Sequence, residues 1–391
     1  MQSATAPTNL IDSRVRLLTV TSALCIGGAE RVAGCLTERI DNDTFVAAAC
    51  YLKECGPVGD QMMRAGVDVI PVPGLSPGHR DYFTSAKLRR LIRERRIQVI
   101  HTHDIHSLVD GAVCRMTTPG LRHVHTFHYG NYPERDRTQR VLESLCWRVP
   151  DALVAVGHRQ AAAIRELYSV PEDRLKVIWN GVDGSPTPQR HPIVGDLPPG
   201  MPVIASISTM IRQKGLEHLL EAAALLHQSG DTFLLLVTGD GPLKDELVGR
   251  AAQLGIAEQV RFLGWVPDAA RYLLPVCDVF VQSSLWEAMS IVVLEAMAAG
   301  KPMVVTSVGE NPFVVIPGET GLIVPPADPP ALAEALRSLL RDPARRASLG
   351  RDARIRYEQR FRVEHMLAEY QRLYLDVLGV RVSTVRLQDC S

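Results

Sequence analysis

At 391 residues the chain is too long for one ordinary hydrophobic core and accommodates two domains. Its 43 Lys and Arg balance 43 Asp and Glu, which excludes a global positive field that would draw it to nucleic acid. No apolar run is long enough to span a membrane, residues 1–13 lack a signal peptide's apolar core, and the eight cysteines include no C-x-x-C pair, so the expectation is a cytoplasmic protein with reduced thiols.

Residues 1–13 read as a polar, disordered tail. Arg14 to Val20 (RVRLLTV) predicts a first strand, running into Gly27, Gly28, Ala29 and Glu30 and then a helix to about Ile40. Strand, glycine-rich turn and helix present backbone N–H groups to an anion, although a plain tight turn accounts for two glycines equally well. Further strands are predicted at Phe45–Tyr51, Val67–Val72, Ile97–His101, Arg122–Thr126, Ala152–Val156 and Leu175–Ile178, with helical segments between them. That alternation implies a parallel sheet wound on both faces. Asp41 and Asp43 form an acidic pair in a helix-to-strand turn and read as turn chemistry rather than a metal site.

Two histidine clusters end strands of this half: His101, His103 and His106, then His123, His125 and His128. Such spacing suits zinc, but the first cluster lacks a clear downstream acid and His pattern and successive residues of one strand face opposite ways, so no metal is expected. Strand C-terminal ends line clefts in α/β sheets, where polar side chains meet ligands; a hydrogen-bonded structural imidazole is the other reading. Between Arg80 and Arg96 stand seven basic residues (Arg80, Lys87, Arg89, Arg90, Arg93, Arg95, Arg96) against two acids, with Leu88, Leu91 and Ile92 among them. A basic amphipathic helix over residues 80–96 is either a contact for an anionic membrane, extended by Tyr129 to Arg140, or a solvated face.

Asn180-Gly181-Val182-Asp183 closes the first half with a turn. Five prolines (Pro186, Pro188, Pro192, Pro198, Pro199) then fall within residues 185–200, a linker composition. The expected domains are therefore 14–184 and 201–360, with a last helix and tail at 361–391. The second domain restarts with a strand from Pro202 to Ser208. A turn carrying Arg212 and Lys214 follows, then an amphipathic helix to His227. Arginine can bridge two phosphate oxygens and lysine adds a point charge; a plain surface turn is the alternative. Strands at Phe233–Thr238 and Val260–Trp265 end at Gly239 and beside Leu263. Later strands are predicted at Val279–Ser284, Pro302–Thr306 and within Gly318–Pro325.

The stretch from Ser284 to Pro302 carries the most chemistry. It enters as a loop, becomes a helix from about Ser290 to Ala299, and stops at Gly300 and Pro302. Glu287 stands in the entering loop, where a carboxylate can reach a ligand in front of the helix. Glu295, eight positions on, is flanked by Val292, Val293, Leu294, Ala296, Met297 and Ala298, so a polar partner is expected for it. The helix N-terminus suits a diphosphate. A core helix with one internally paired glutamate is the plainer reading.

With its flanks this stretch resembles the signature of glycosyltransferase family 4: a glutamate, seven residues, a second glutamate and an Ala-Met-Ala-x-Gly-x-Pro run. Gly27 to Glu30, Asn180 to Asp183 and the turn ending at Lys214 resemble further family segments in the same order. The resemblance spans residues 14 to about 378. It implies a GT-B fold, α/β with two Rossmann-like doubly wound domains facing across a cleft. It places donor-sugar contacts on Glu287 and the ribose contact on Glu295. Diphosphate and sugar would meet the backbone of Ala288, Met289, Ser290 and Ile291. Gly28, Gly239 and Leu263 would border the donor, and Gly27 and Glu30 the acceptor. The Thr126-Phe127-His128 turn resembles the position of a histidine near the anomeric centre, which makes His128 the candidate and His125 the fallback. Three departures show: Ala288 where glycine is frequent, Ser290 at a small or proline position, and Thr209 where the family has arginine. The arginine role is therefore assigned to Arg212.

The resemblance implies a retaining hexosyltransferase that needs no metal or other cofactor. It would take a nucleoside diphosphate sugar and deliver to a saccharide or lipid-linked acceptor in polysaccharide biosynthesis, in the cytoplasm or peripherally on the inner membrane face. A hydrolysing nucleotide-sugar 2-epimerase, a nucleotide-sugar-binding module without chemistry and a metal hydrolase are the alternatives.

Overall fold

A computed structural model describes residues 14–25, 27–72, 83–129, 137–184 and 192–380. Arg80, the centre of the Tyr129–Arg140 segment, most of the first part of the proline-rich linker and Cys390 lie outside the described residues. Among the described residues thirteen strands alternate with helices: β1 Val15–Ala23, β2 Phe45–Glu54, β3 Asp68–Pro71, β4 Val99–Thr102, β5 Arg122–Phe127, β6 Ala152–Ala155, β7 Leu175–Val177, β8 Val203–Ile207, β9 Leu234–Thr238, β10 Val260–Gly264, β11 Val279–Gln282, β12 Met303–Thr306 and β13 Leu322–Val324. They form a seven-stranded sheet, β3-β2-β1-β4-β5-β6-β7, and a six-stranded sheet, β10-β9-β8-β11-β12-β13. The chain divides into two compact units, residues 1–127, 136–154 and 371–391 in one, 128–135 and 155–370 in the other.

Both sheets are parallel for a reason legible in their strands. A parallel sheet is covered by helices on both faces, so its strands are apolar throughout rather than alternating. In β11 and β12, Val279, Phe280, Val281, Met303, Val304 and Val305 are all fully buried. Each contributes roughly 1.5–3 kcal/mol by leaving water. The register aligns Leu17 with Val99 and Leu18 with Ile100 in the first sheet, and Val279 with Ile204 and Phe280 with Ala205 in the second. In each sheet the strand order reverses beside the first strand of the unit, between β1 and β4 and between β8 and β11. The helices that follow two such neighbouring strands lie on opposite faces of the sheet, opening a crevice at the strands' C-terminal ends.

The described cysteines are free thiols. Burial pushes Cys114 and Cys277 up to about 12. No described helix is long and apolar enough to cross a membrane. The last described helix, Val363–Leu378, belongs to the second unit as far as Tyr370 and to the first from Gln371 onward.

Candidate functional site

In the second unit the crevice lies where β8 and β11 part, and the loops that leave them meet there. The loop after β8 tightens into a single 3-10 turn, Arg212–Lys214, and turns over at Gly215. Gly215 has φ +57°, and a side chain there would strike the Ser283 carbonyl. The loop after β11 runs from Ser283 to Ser290 and enters the helix Ile291–Ala298. The two loops are stitched together: Leu285 N–H donates to Gln213 O (2.7 Å), Gln213 Nε2 to Trp286 O (3.0 Å), and Ser283 Oγ to Lys214 O (3.0 Å).

Along this loop the carbonyls are held inward. Thr306 Oγ1 donates to Ser284 O (2.6 Å), Glu310 N–H to Ala288 O (2.9 Å), and Asn180 Nδ2 reaches Met289 O (3.4 Å). Gly309, at φ +50°, passes directly beneath the Glu287 and Ala288 carbonyls, where no Cβ fits. The backbone N–H groups from Trp286 to Val293, by contrast, donate to no protein acceptor among the described residues. Ser290 begins the helix in extended conformation and its side chain caps nothing. A row of unused N–H groups at the positive end of a helix is an anion-binding arrangement.

Glu287 and Lys214 close the site. Lys214 Nζ lies 2.5 Å from Glu287 Oε1, with side-chain exposures of 21% and 9%. Ser284 Oγ (2.8 Å) and, at longer range, Gln282 Nε2 (3.4 Å) donate to the same oxygen. All three donors converge on Oε1, so Oε2 has none among the described residues. Arg212 is exposed, and its guanidinium makes no ion pair among them. Thr209 is exposed just past β8. Glu295 is half-buried one helical turn after Ile291. Gly239 and Leu263 sit at the C-terminal ends of β9 and β10, on the same edge of the parallel sheet as the β8 loop. Gly239 N–H donates to Gly264 O (2.8 Å), and its φ of +139° lets it press against the Ser208 carbonyl.

In the first unit the helix Gly28–Arg39 starts at an extended Gly27, and the Glu30 carboxyl folds back over that glycine. Burial pushes Glu30 above the usual carboxylate range; a bond to its own backbone N–H opposes this, and the Asp104 charge adds to it. The histidine clusters divide between the two faces of the sheet. On one face Thr102 Oγ1 bonds both His123 Nε2 and His125 Nδ1, each at 2.8 Å. On the other, His101 bonds Thr126 Oγ1 and the Tyr374 hydroxyl, each at 2.7 Å. His125 is fully buried. His128 is half-buried just beyond β5 and is counted with the second unit. Among the described residues no group of three His, Cys, Asp or Glu is placed to hold a metal ion.

Several residues that organise the loop carry no sequence signal of their own: Gln213, Gln282, Thr306, Glu310 and Asn311. Glu310 is fully buried, and its carboxylate accepts from His158 N–H (2.8 Å), Arg159 N–H (3.2 Å) and Trp179 Nε1 (2.9 Å). It thereby caps the helix His158–Tyr168.

Comparison with known proteins gives two family matches: glycosyl transferases group 1 over residues 190–356, and glycosyltransferase family 4 over residues 26–185. The chain is 29% identical over 266 residues to an uncharacterized glycosyltransferase of Methanocaldococcus jannaschii, spanning 62% of this chain and 66% of that one. It is 27% identical over 315 residues to glycogen synthase of Mycobacterium tuberculosis, spanning 77% and 74%. In structure it resembles HepE of Anabaena, solved in complex with UDP-glucose, with a TM-score of 0.79 and 21% identity over 93% of this chain and 100% of that one. The architecture is thus that of the GT-B fold.

Proposed function

Because this chain belongs to glycosyltransferase family 4, we propose that it moves a hexose-type sugar from a nucleoside diphosphate sugar to an acceptor hydroxyl with retention of anomeric configuration. The observation that carries this reading is the loop from Ser284 to Ile291, with its carbonyls held inward, its N–H groups unused and one Glu287 oxygen left open. An ionised carboxylate oxygen accepts sugar hydroxyls; the N–H row and helix end receive a diphosphate. HepE, of the same fold, binds UDP-glucose, which supports a sugar nucleotide as the ligand class.

Charge builds on the diphosphate as the glycosidic bond breaks. Lys214 and the helix N-terminus are held in place before that happens, and preorganised charge lowers the barrier without reorganisation, with Arg212 adding an exposed cation on the same turn. No residue of the proposed site calls for a metal, so the same turnover is expected with and without a chelator. His128 and the Gly27–Glu30 loop take the anomeric-centre and acceptor roles. The acceptor proposed is a lipid-linked saccharide or polysaccharide precursor. Support comes from the helix Thr84–Glu94, whose Arg93 is exposed and whose leading Phe83 is 69% exposed. Such a face suits an anionic bilayer; loss of the protein from floated phosphatidylglycerol vesicles would remove this part. The epimerase reading is not favoured, since relatives are named glycosyltransferases.

The test is a thermal-shift series with UDP-, GDP- and ADP-sugars, followed by transfer to a model acceptor and determination of the product's anomeric configuration. Stabilisation by one series and an α-linked product from an α-donor are expected. An inverted product, or donor consumed equally without acceptor, would overturn the assignment.

A further inference from the structure

Behind Glu287 lies a line of buried polar side chains to which the reaction gives no part. Gln282 ends β11, Thr306 ends β12, and Asn311 opens the short helix Asn311–Val314; all three are at most 5% exposed. Asn311 Nδ2 donates to the Thr306 carbonyl (2.9 Å) and to Gln282 Oε1 (2.6 Å). A backbone carbonyl can only accept, so Thr306 O requires the NH2 end of Asn311. The second N–H of that NH2 then requires the carbonyl end of Gln282. Gln282 is left with Nε2 facing Glu287 Oε1 at 3.4 Å. The direction of the whole line is therefore dictated by a fixed main-chain group and not by the usual ambiguity of amide orientation.

We propose that Asn311 and Gln282 are positioning residues for Glu287. The relay keeps the Glu287 carboxylate turned so that Oε1 faces Lys214, Ser284 and Gln282 while Oε2 is held out for a sugar hydroxyl. Its last link is long, so its effect is directional: it keeps a donor, never an acceptor, beside Oε1. This rests on the nucleotide-sugar reading of the site and adds to it that sugar recognition is set by two amides that never touch the sugar.

Two substitutions reverse or remove the relay. In Asn311→Asp a carboxylate faces Gln282, attracts its Nε2 and swings the Gln282 carbonyl onto Glu287 Oε1. In Gln282→Met the line is cut at nearly constant volume. The measurement is titration of each folded variant with the sugar nucleotide that most stabilises the wild type among the UDP, GDP and ADP series, and with the matching nucleoside diphosphate. Either variant is expected to weaken sugar-nucleotide binding about tenfold, as for loss of one hydrogen bond to a charged group, with diphosphate binding changed less than about twofold. The double variant is expected to bind no worse than Gln282→Met alone, because Asn311 acts only through Gln282.

Equal losses for both ligands, or losses that add in the double variant, would make the amides structural and overturn the proposal. If Asn311→Asp does not fold, Gln282→Met decides alone: a sugar-nucleotide preference equal to the wild type's sinks the relay. Should no sugar nucleotide of the three series bind the wild type, the donor-site reading itself falls, which is a different result from a wild type that binds and variants that match it.

Discussion

Replacing Glu287 by glutamine tests the centre of the site, because it changes charge and leaves shape almost untouched. With the three donors still directed at one oxygen, the new amide nitrogen takes the place of Oε2 and offers a donor where an acceptor stood. A hydrogen bond to a charged acceptor is worth about 1.5–3 kcal/mol, so kcat/KM for transfer should fall roughly 10- to 100-fold. The ion pair is lost as well. Removing one partner of a fully buried pair costs about 3–5 kcal/mol. Here Lys214 keeps 21% of its side-chain surface, so a smaller cost of roughly 1–3 kcal/mol is expected, read as a fall of about 2–4 °C in Tm per kcal/mol. Lys214, released from its carboxylate, stays available to a diphosphate, so affinity for the nucleoside diphosphate alone should hold or rise. The assay is initial-rate transfer alongside calorimetric titration with the diphosphate. A variant with lowered Tm but wild-type kcat/KM would refute the reasoning, since Glu287 would then serve stability alone.

Other consequences are equally open to measurement. Burial pushes His123 down to about 3, with Asp151 opposing and Arg115 reinforcing the shift. Its unfolded form takes a proton near pH 6.5, so the stability it contributes is complete above that pH and is lost as pH falls towards 3, at up to about 1.4 kcal/mol per pH unit. Urea unfolding from neutral pH to about pH 4 should show a shallower fall in His123→Gln; an identical slope would contradict this. Gly309→Ala drives a Cβ at φ +50° into the Glu287 and Ala288 carbonyls, for an expected loss of about 1–3 kcal/mol together with weaker sugar-nucleotide binding; an unchanged Tm would count against the cradle. Tyr357→Phe removes the hydroxyl that donates to Val182 O (2.9 Å), but that carbonyl also accepts Val363 N–H (2.9 Å). The cost should therefore stay near 1 kcal/mol in chemical unfolding, and a loss several times larger would show the carbonyl accounting to be wrong.

Strand placement was legible wherever an apolar run met a glycine or proline. The helix predicted from Ser290 to Ala299 is Ile291–Ala298 with Ser290 as its cap, because Gly300 and Pro302 allow no other stop. The opposed histidine networks followed from period-2 alternation: neighbours such as His101 and Thr102 face opposite ways. The surroundings of Glu287 were not legible. Lys214 lies 73 positions away and meets it only because β8 and β11 are neighbours across a reversal of strand order. Asn311 and Gln282 are 29 positions apart, and no periodicity announces an amide beneath a strand end. Glu310 looks like a turn residue in Gly309-Glu310-Asn311, yet it is buried among three N–H donors. Local pattern reports which face a residue takes, whereas these contacts depend on which strand lies next door.

Tyr374 has a bearing on how the protein is made. It packs its ring edge against Phe45 (centroids 6.0 Å apart) and satisfies His101 Nδ1 in the first unit, yet it stands 273 positions after that histidine. N-terminal domains ordinarily fold while the rest of the chain is still being synthesised. This one emerges with a buried imidazole lacking its phenol, and it can complete its interior only once the chain has been synthesised through the second unit to Tyr374.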